Sequence, residues 1–341
     1  MSDEVPAGRL PFVVNAPGKA ILFGEHAVVH GRTAIVLALD ARTEVAFRGQ
    51  AGGTRTVYNG STEVPRANPY LQEALSRHPS VGPLDLMTRS GLPQASGLGS
   101  SAAFTVSLTA GLLALEGGAP RLRLAEESFR TERGAQGVGS PVDTSAAVAG
   151  GVLAVGAKTF GDRLWELPGT DGTPLWSVAR MPDPGWTWVV GFTGVAKDTA
   201  TVVRRVGERL RAPDGPQLLD QIESVSSRGA RALLARDRGE VGALMNENQR
   251  ALLELGISHP RLEALLRSVG EHALGAKITG AGGGGSVLVL PKEGEEVLAG
   301  RAISRAGGVP FLLRVAATGA TLVPAGEGPR ARGAAPASRA S

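Results

Sequence analysis

Two glycine-rich segments of this chain have the composition of phosphate-binding backbone. The first, Ser96-Gly97-Leu98-Gly99-Ser100-Ser101-Ala102-Ala103, leads into a long apolar run. Glycines let main-chain N–H groups approach an anion closely, and a helix start adds unpaired donors and a favourable dipole. Ser100 and Ser101 bring hydroxyls suited to capping that helix, touching phosphate or ligating Mg²⁺. The second, Gly280-Ala281-Gly282-Gly283-Gly284-Gly285, formally reads G-x-G-x-x-G. A strand-like run, Ser286–Leu290, follows where a dinucleotide fold requires a helix, so that reading fails on context. Consecutive glycines are costly to order, which favours a loop beside a ligand over a plain hairpin. A Walker loop is absent: Lys19 follows Gly18, but Ala20 comes next and position 13 is Val.

Three charged groups stand close together in residues 15–26, where Lys19, Glu25 and His26 interrupt an apolar strand-like run. A lysine flanked by Pro17-Gly18 and by Ala20-Ile21-Leu22-Phe23 is partly desolvated, which suits pairing with a carboxylate or phosphate. His26 and His30 are four apart but have no third ligand, so zinc is not expected. Further on, Glu132 ends an amphipathic run, and a glycine-rich loop delivers Asp143 to the start of a small-residue helix. Taken singly, each acid reads as a surface or capping carboxylate. Beside a phosphate cradle they supply a Mg²⁺ ligand and a group to orient or deprotonate an acceptor hydroxyl.

The elements that must hold these residues follow from periodicity. Residues 12–50 alternate apolar runs with turn signals and read as strands. Ser100–Glu116 reads as a helix, apolar along one side and stopped by Gly117-Gly118, and Leu122–Arg133 as a second. Ser145–Val155 reads as a small-residue helix running into a strand. A break with four prolines falls at 167–185, then Trp186–Phe192 reads as a strand. Helices are expected over Thr199–Arg211, Gln217–Leu234 and Gly239–Leu255, and strand–loop–strand over Lys277–Leu290. These features place a first domain at 1–182 and a second at 183–324, with 325–341 disordered because it has too little to bury.

Composition bounds the function. At roughly 150 residues per domain, 341 residues suggest two domains. Hydrophobic content of 42% and charged content of 20% fit a soluble globular protein. The absence of Cys excludes disulfides, thiolate zinc sites, iron–sulfur clusters and cysteine nucleophiles. The net charge is +4, the arginines are scattered among acids and only 4% of residues are aromatic, so nucleic acid is not an expected partner. The first twelve residues lack a leader pattern, and no uncharged stretch is both long and apolar enough to span a bilayer. A cytoplasmic location without membrane attachment is expected.

Three ordered segments resemble the GHMP kinase superfamily: APGKAILFGEHAVVHG (16–31), SGLPQASGLGSSAA (90–103) and KITGAGGGGSVLVL (277–290). The intervening GSPVDTSAAVAGG (139–151) is similar as well, and the resemblance covers roughly 12–325. Within the superfamily the first segment is most similar to mevalonate kinases, as is NENQRALLELGISHPRLEALL (246–266). The chain departs from the pattern in reading GVGSPVD before Asp143, where a form like GNPSGVD is usual, and in lacking Cys in the third motif.

The resemblance implies an α+β fold of two domains. The N-terminal domain would have a mixed sheet with a left-handed βαβ crossover, the C-terminal domain would be ferredoxin-like, and the site would lie in the cleft between them. It implies ATP-dependent phosphorylation of the C5 hydroxyl of mevalonate, with ATP and Mg²⁺ required. Gly97, Leu98, Gly99, Ser100, Ser101 and Ala102 would wrap the triphosphate, with Gly282 and Gly283 steadying it from the opposite side. Ser101 and Glu132 would hold Mg²⁺. Asp143 would face the acceptor hydroxyl as base or orienter, with Lys19 beside it to offset developing charge. Glu25 and His26 would line the substrate pocket and Thr199 would close it. The partner is a small-molecule acceptor, with a homodimer left open. The alternatives are another small-molecule GHMP kinase, such as one acting on phosphomevalonate, and a non-catalytic binding protein of this fold. The latter would have lost Lys19, Glu132 or Asp143, and all three are present.

Overall fold

The computed structural model describes residues 3–58, 61–63, 68–137, 139–169, 175–196 and 199–325. Residues 326–341, nearly all of the tail expected to be disordered, lie outside them. The first domain is built on two long antiparallel strands, Phe12–Phe23 and Ala34–Gly49, paired from Phe12↔Phe47 to Phe23↔Ile35. The second of these shows both kinds of burial. Ala34–Leu39 is buried at every residue, whereas Ala41, Thr43, Val45 and Phe47 are buried and the residues between them half-exposed. Its first half is therefore covered on both faces and its second half on one.

Beyond Ala34–Gly49 the sheet forks. Residues 43–49 pair with Leu84–Ser90, which runs parallel to Arg55–Tyr58 and so on to Ser61–Glu63. Residues 34–37 pair with Val152–Gly156, followed by Trp176–Met181 and Asp162–Leu167. Trp176–Met181 lies inside the stretch read as a break. Prolines at 174 and 182 flank it closely enough to hide a six-residue strand that is buried at five positions. A strand from far along the chain also joins this sheet. Thr321–Pro324, expected in the second domain, pairs with Phe12–Asn15, after Val315 bridges to Leu39 and the Ala316 N–H donates to the Ala38 carbonyl. The chain thus re-enters the first sheet before it ends.

Ser100–Leu115 crosses the middle of this domain. It was expected to be apolar along one side, yet every residue from Ala102 to Ala114 is buried. The sheet covers one side, and the helices Arg121–Gln136 and Val142–Ala149 cover the other. Gly111 is a notch for Phe47: a Cβ there would lie 2.1 Å from the ring. Phe47 in turn stacks on Phe12 with centroids 4.9 Å apart.

The second domain has a four-stranded antiparallel sheet in the order Ala273–Thr279, Ser286–Pro291, Trp188–Phe192, Val309–Leu313. Counted along the chain this is 2-3-1-4, the ferredoxin-like arrangement. Thr199–Leu210, Gly215–Leu234, Arg238–Glu254 and Pro260–Ser268 fill the first crossover, and Glu296–Arg305 the second. The domains are stitched together by side chains. The Thr279 hydroxyl donates to the Ile21 carbonyl at 3.1 Å and accepts from the Ile21 N–H at 2.9 Å. No described helix is long and apolar enough to cross a membrane.

Candidate active site

The first glycine segment ends where the buried helix begins. Gly99 is its N-cap residue, in left-handed backbone (φ 75°), and no side chain caps the helix. A glycine at this position offers no side-chain oxygen to the first turn, which suits an anion cradle. Gly99 is also a contact requirement, because a Cβ there would lie 2.8 Å from Cγ of Lys19. Lys19 is tied to the same loop through its backbone N–H, which donates to the Leu98 carbonyl at 2.8 Å. Its side chain, 3% exposed, passes beneath Gly99 and places Nζ 3.0 Å from Oδ2 of Asp143. Asp143 lies in the first turn of Val142–Ala149 and keeps 29% of its side chain exposed. A buried amine and an accessible carboxylate thus meet at the mouth of an uncapped helix.

A second group gathers on the same side. Glu132, 8% exposed and a turn before the end of Arg121–Gln136, has Oε1 3.3 Å from Nε2 of Gln136. That same amide donates to the hydroxyl of Tyr70 at 2.9 Å, and Tyr70 is hydrogen-bonded to the Ser101 hydroxyl. Burial, reinforced by the Glu132 carboxylate and by Asp143 further off, pushes the Tyr70 phenol above its ordinary value and keeps it protonated. Tyr70 and Gln136 were not picked out in sequence. Asn68 followed by Pro69, a capping residue ahead of a proline at the first helical position, is the available signal for the helix Pro69–Arg77 that carries the tyrosine.

Glu25 and His26 both bond across to the second domain. The Glu25 carboxylate, 1% exposed, is ion-paired with the fully buried Lys277 of the second domain and receives the Asn248 amide at 3.4 Å. Burial pushes the Glu25 carboxyl up and the Lys277 amine down, and Lys19 lies near enough for its charge to act on both. His26 bonds through Nε2 to the Ala281 carbonyl at 3.0 Å, anchoring the second glycine loop. Three non-glycine residues among those described have left-handed backbone, and two of them, His26 (φ 61°) and Ala95 (φ 53°), border this site. Such strain concentrates where the surrounding structure fixes a functional geometry.

The two glycine loops meet by their ends. A Cβ on Gly285 would come within 2.9 Å of the Ser96 carbonyl, which also accepts from the Ser286 hydroxyl at 2.9 Å. Gly282 packs against Ile257, where a Cβ would meet the isoleucine side chain at 2.4 Å, and Gly283 follows it at positive φ (70°). Thr199 opens the helix Thr199–Leu210, and its side chain lies outside the described residues.

Residues 66–151 match the family described as GHMP kinases N terminal domain, and residues 230–308 match GHMP kinases C terminal. Both matched segments contribute residues to the site just described, so fold and site together define the GHMP kinase class. Mevalonate kinase of Methanothermobacter thermautotrophicus is 33% identical over 291 residues, covering 80% of this chain and 88% of that relative. Mevalonate kinase of Aeropyrum pernix is 32% identical over 334 residues, covering 90% and 97%. The crystal structure of the Methanococcus jannaschii mevalonate kinase shares the fold, with a TM-score of 0.74 at 23% identity over 89% of this chain and 98% of that one. The chain belongs to the mevalonate kinase family.

Proposed function

We propose that this chain transfers the γ-phosphoryl group of ATP to the C5 hydroxyl of mevalonate, releasing ADP and 5-phosphomevalonate. The observation that carries the reading is the Lys19–Asp143 pair, 3.0 Å apart at the uncapped start of Ser100–Leu115. Main-chain N–H groups of Gly97 to Ala102 receive the triphosphate, using the positive end of the helix. The acceptor hydroxyl approaches Asp143, which orients it and takes its proton as the new O–P bond forms and the bond to the ADP oxygen breaks. Asp143 is exposed enough to pass that proton to water. The Lys19 ammonium, held out of solvent, offsets negative charge developing on the transferring group.

The oxygen donors fit Mg²⁺. No cluster of three or more His, Cys, Asp or Glu that could hold a metal occurs among the described residues. Mg²⁺ does not need one, since it keeps several waters and draws further ligands from phosphates. The Ser101 hydroxyl and the Glu132 carboxylate supply two hard oxygens beside the cradle. When bound there, Mg²⁺ would neutralise triphosphate charge.

An ADP-release assay with mevalonate, phosphomevalonate, homoserine and galactose tests the assignment. Mevalonate should give the highest kcat/KM, turnover should stop with EDTA, and Asp143→Ala should abolish turnover while ATP binding persists. A higher kcat/KM with another acceptor, or an Asp143→Ala variant of unchanged kcat, overturns it.

A further inference from the structure

A serine that ligates a cation does so through a lone pair on a neutral hydroxyl, so its proton must find an acceptor elsewhere. In this chain the Ser101 hydroxyl is hydrogen-bonded to the Tyr70 phenol, whose oxygen can accept that proton's hydrogen bond. The same oxygen receives the Gln136 amide at 2.9 Å, and that amide lies 3.3 Å from Oε1 of Glu132. The sequence of contacts Ser101–Tyr70–Gln136–Glu132 therefore joins both oxygens assigned to the cation through groups that would not touch it. It also spans three separate helices: Ser100–Leu115, Pro69–Arg77 and Arg121–Gln136.

Each end of this strap is built in. Tyr70 occupies the first turn of its helix, whose start is fixed by Asn68 accepting the Leu71 N–H at 3.1 Å. Gln136 is the last residue of its helix, one turn beyond Glu132, so its amide reaches both Glu132 and the tyrosine. We propose that Tyr70, assisted by Gln136, is a positioning residue for the divalent cation: it accepts a hydrogen bond from the neutral Ser101 hydroxyl, turns the serine lone pair toward the nucleotide and fixes its spacing to Glu132. Partners of this kind, which orient a ligand without touching the metal, commonly alter metal affinity by about 10–100-fold when removed.

This inference rests on the assignment of Ser101 and Glu132 to Mg²⁺, and the test separates the two. Mn²⁺ is titrated by electron paramagnetic resonance into the full-length protein saturated with a non-hydrolysable ATP analogue. The proteins compared are wild type, Tyr70→Phe, Gln136→Met and Glu132→Gln. Glu132→Gln should weaken Mn²⁺ binding, and Tyr70→Phe should weaken it by about ten-fold or more with the KM for mevalonate unchanged. Gln136→Met, which attacks the strap from its other end, should shift Mn²⁺ binding in the same direction. If Glu132→Gln weakens binding while Tyr70→Phe and Gln136→Met match wild type, the positioning role is overturned and the cation assignment stands. If Glu132→Gln itself leaves Mn²⁺ affinity unchanged, the cation assignment falls and the positioning role falls with it.

Discussion

Lys277→Met is the sharpest test of what fixes the site between the domains. The lysine and Glu25 are 0% and 1% exposed and come from different domains. Met fills a similar volume without charge, leaving the carboxylate with the Asn248 amide at 3.4 Å and the more distant Lys19 ammonium. Removing one partner of a buried pair costs about 3–5 kcal/mol, because the other charge stays buried. At about 2.1 cal/mol/K per residue, the unfolding entropy of 341 residues is about 0.7 kcal/mol/K, so the midpoint should fall by roughly 4–7 °C. The pH dependence fixes the cause. Burial already raises the Glu25 carboxyl above its ordinary 4.5, and losing Lys277 raises it further. A carboxyl with a raised folded-state pKa costs stability above its unfolded value, and that cost disappears as pH falls and the group takes a proton. The deficit should be largest near about pH 8 and shrink toward about pH 5, while Glu25→Gln added to Lys277→Met should recover much of it. Scanning calorimetry reads all three. A loss under about 1 kcal/mol at the higher pH, or a deficit that does not change with pH, refutes the reasoning.

Lys19→Met should lower kcat about 10³-fold, near 4 kcal/mol of transition-state stabilisation; a change confined to KM would make Lys19 a binding residue instead. Gly99→Ala should lose both stability and turnover, because the new Cβ meets Lys19 at 2.8 Å, whereas Gly117→Ala, also at positive φ but with open space around it, should lose stability alone. Steady-state kinetics beside thermal melts separate the two, and equal turnover in both variants would count against the Gly99–Lys19 contact. Burial opposes the charge of Glu116, yet the Ser80 hydroxyl and the His78 ring outweigh it and hold its carboxyl below the ordinary value. Its stabilising effect is present above the unfolded pKa and lost as pH falls through the folded one. Glu116→Gln should therefore be less stable than wild type in urea at neutral pH, with the gap closing in acid.

What was legible in the sequence was local. Gly99 at one end and Gly117-Gly118 at the other punctuate a run too long for a strand, so Ser100–Leu115 could be read from its own residues. Lys19 and Asp143 could be nominated because each sits among small and apolar residues where a lone charge needs a purpose. Periodicity does not carry how far an element is covered by its neighbours, and so the long helix, buried all round, was expected to be one-sided. Pairing over long separations was equally hidden. Thr321–Pro324 shows no sign that it will join Phe12–Asn15, and Lys277 finds Glu25 across 252 positions. Tyr70 was missed because its helix is only nine residues long and its contacts lie with neighbours on two other helices.

The placement of strain and buried charge makes these separate contacts a single device. The inter-domain bonds Thr279–Ile21, Ser286–Ser96, His26–Ala281 and Lys277–Glu25 all attach to residues within a few positions of the Lys19 strand or the first glycine loop. Left-handed backbone at His26 and Ala95 falls in the same places. A conformation costing about 1–3 kcal/mol persists only where surrounding contacts determine it, and here those contacts come from the opposite domain. Docking of the second domain therefore sets local geometry in the first. It holds the strand that presents Lys19, the loop that opens Ser100–Leu115 and the histidine that fixes the second glycine loop, so the spacing of the groups proposed to react is a property of the interface. By contrast, Ser101, Glu132, Tyr70 and Gln136 all belong to the first domain, and the proposed cation ligands are arranged there without help from the second.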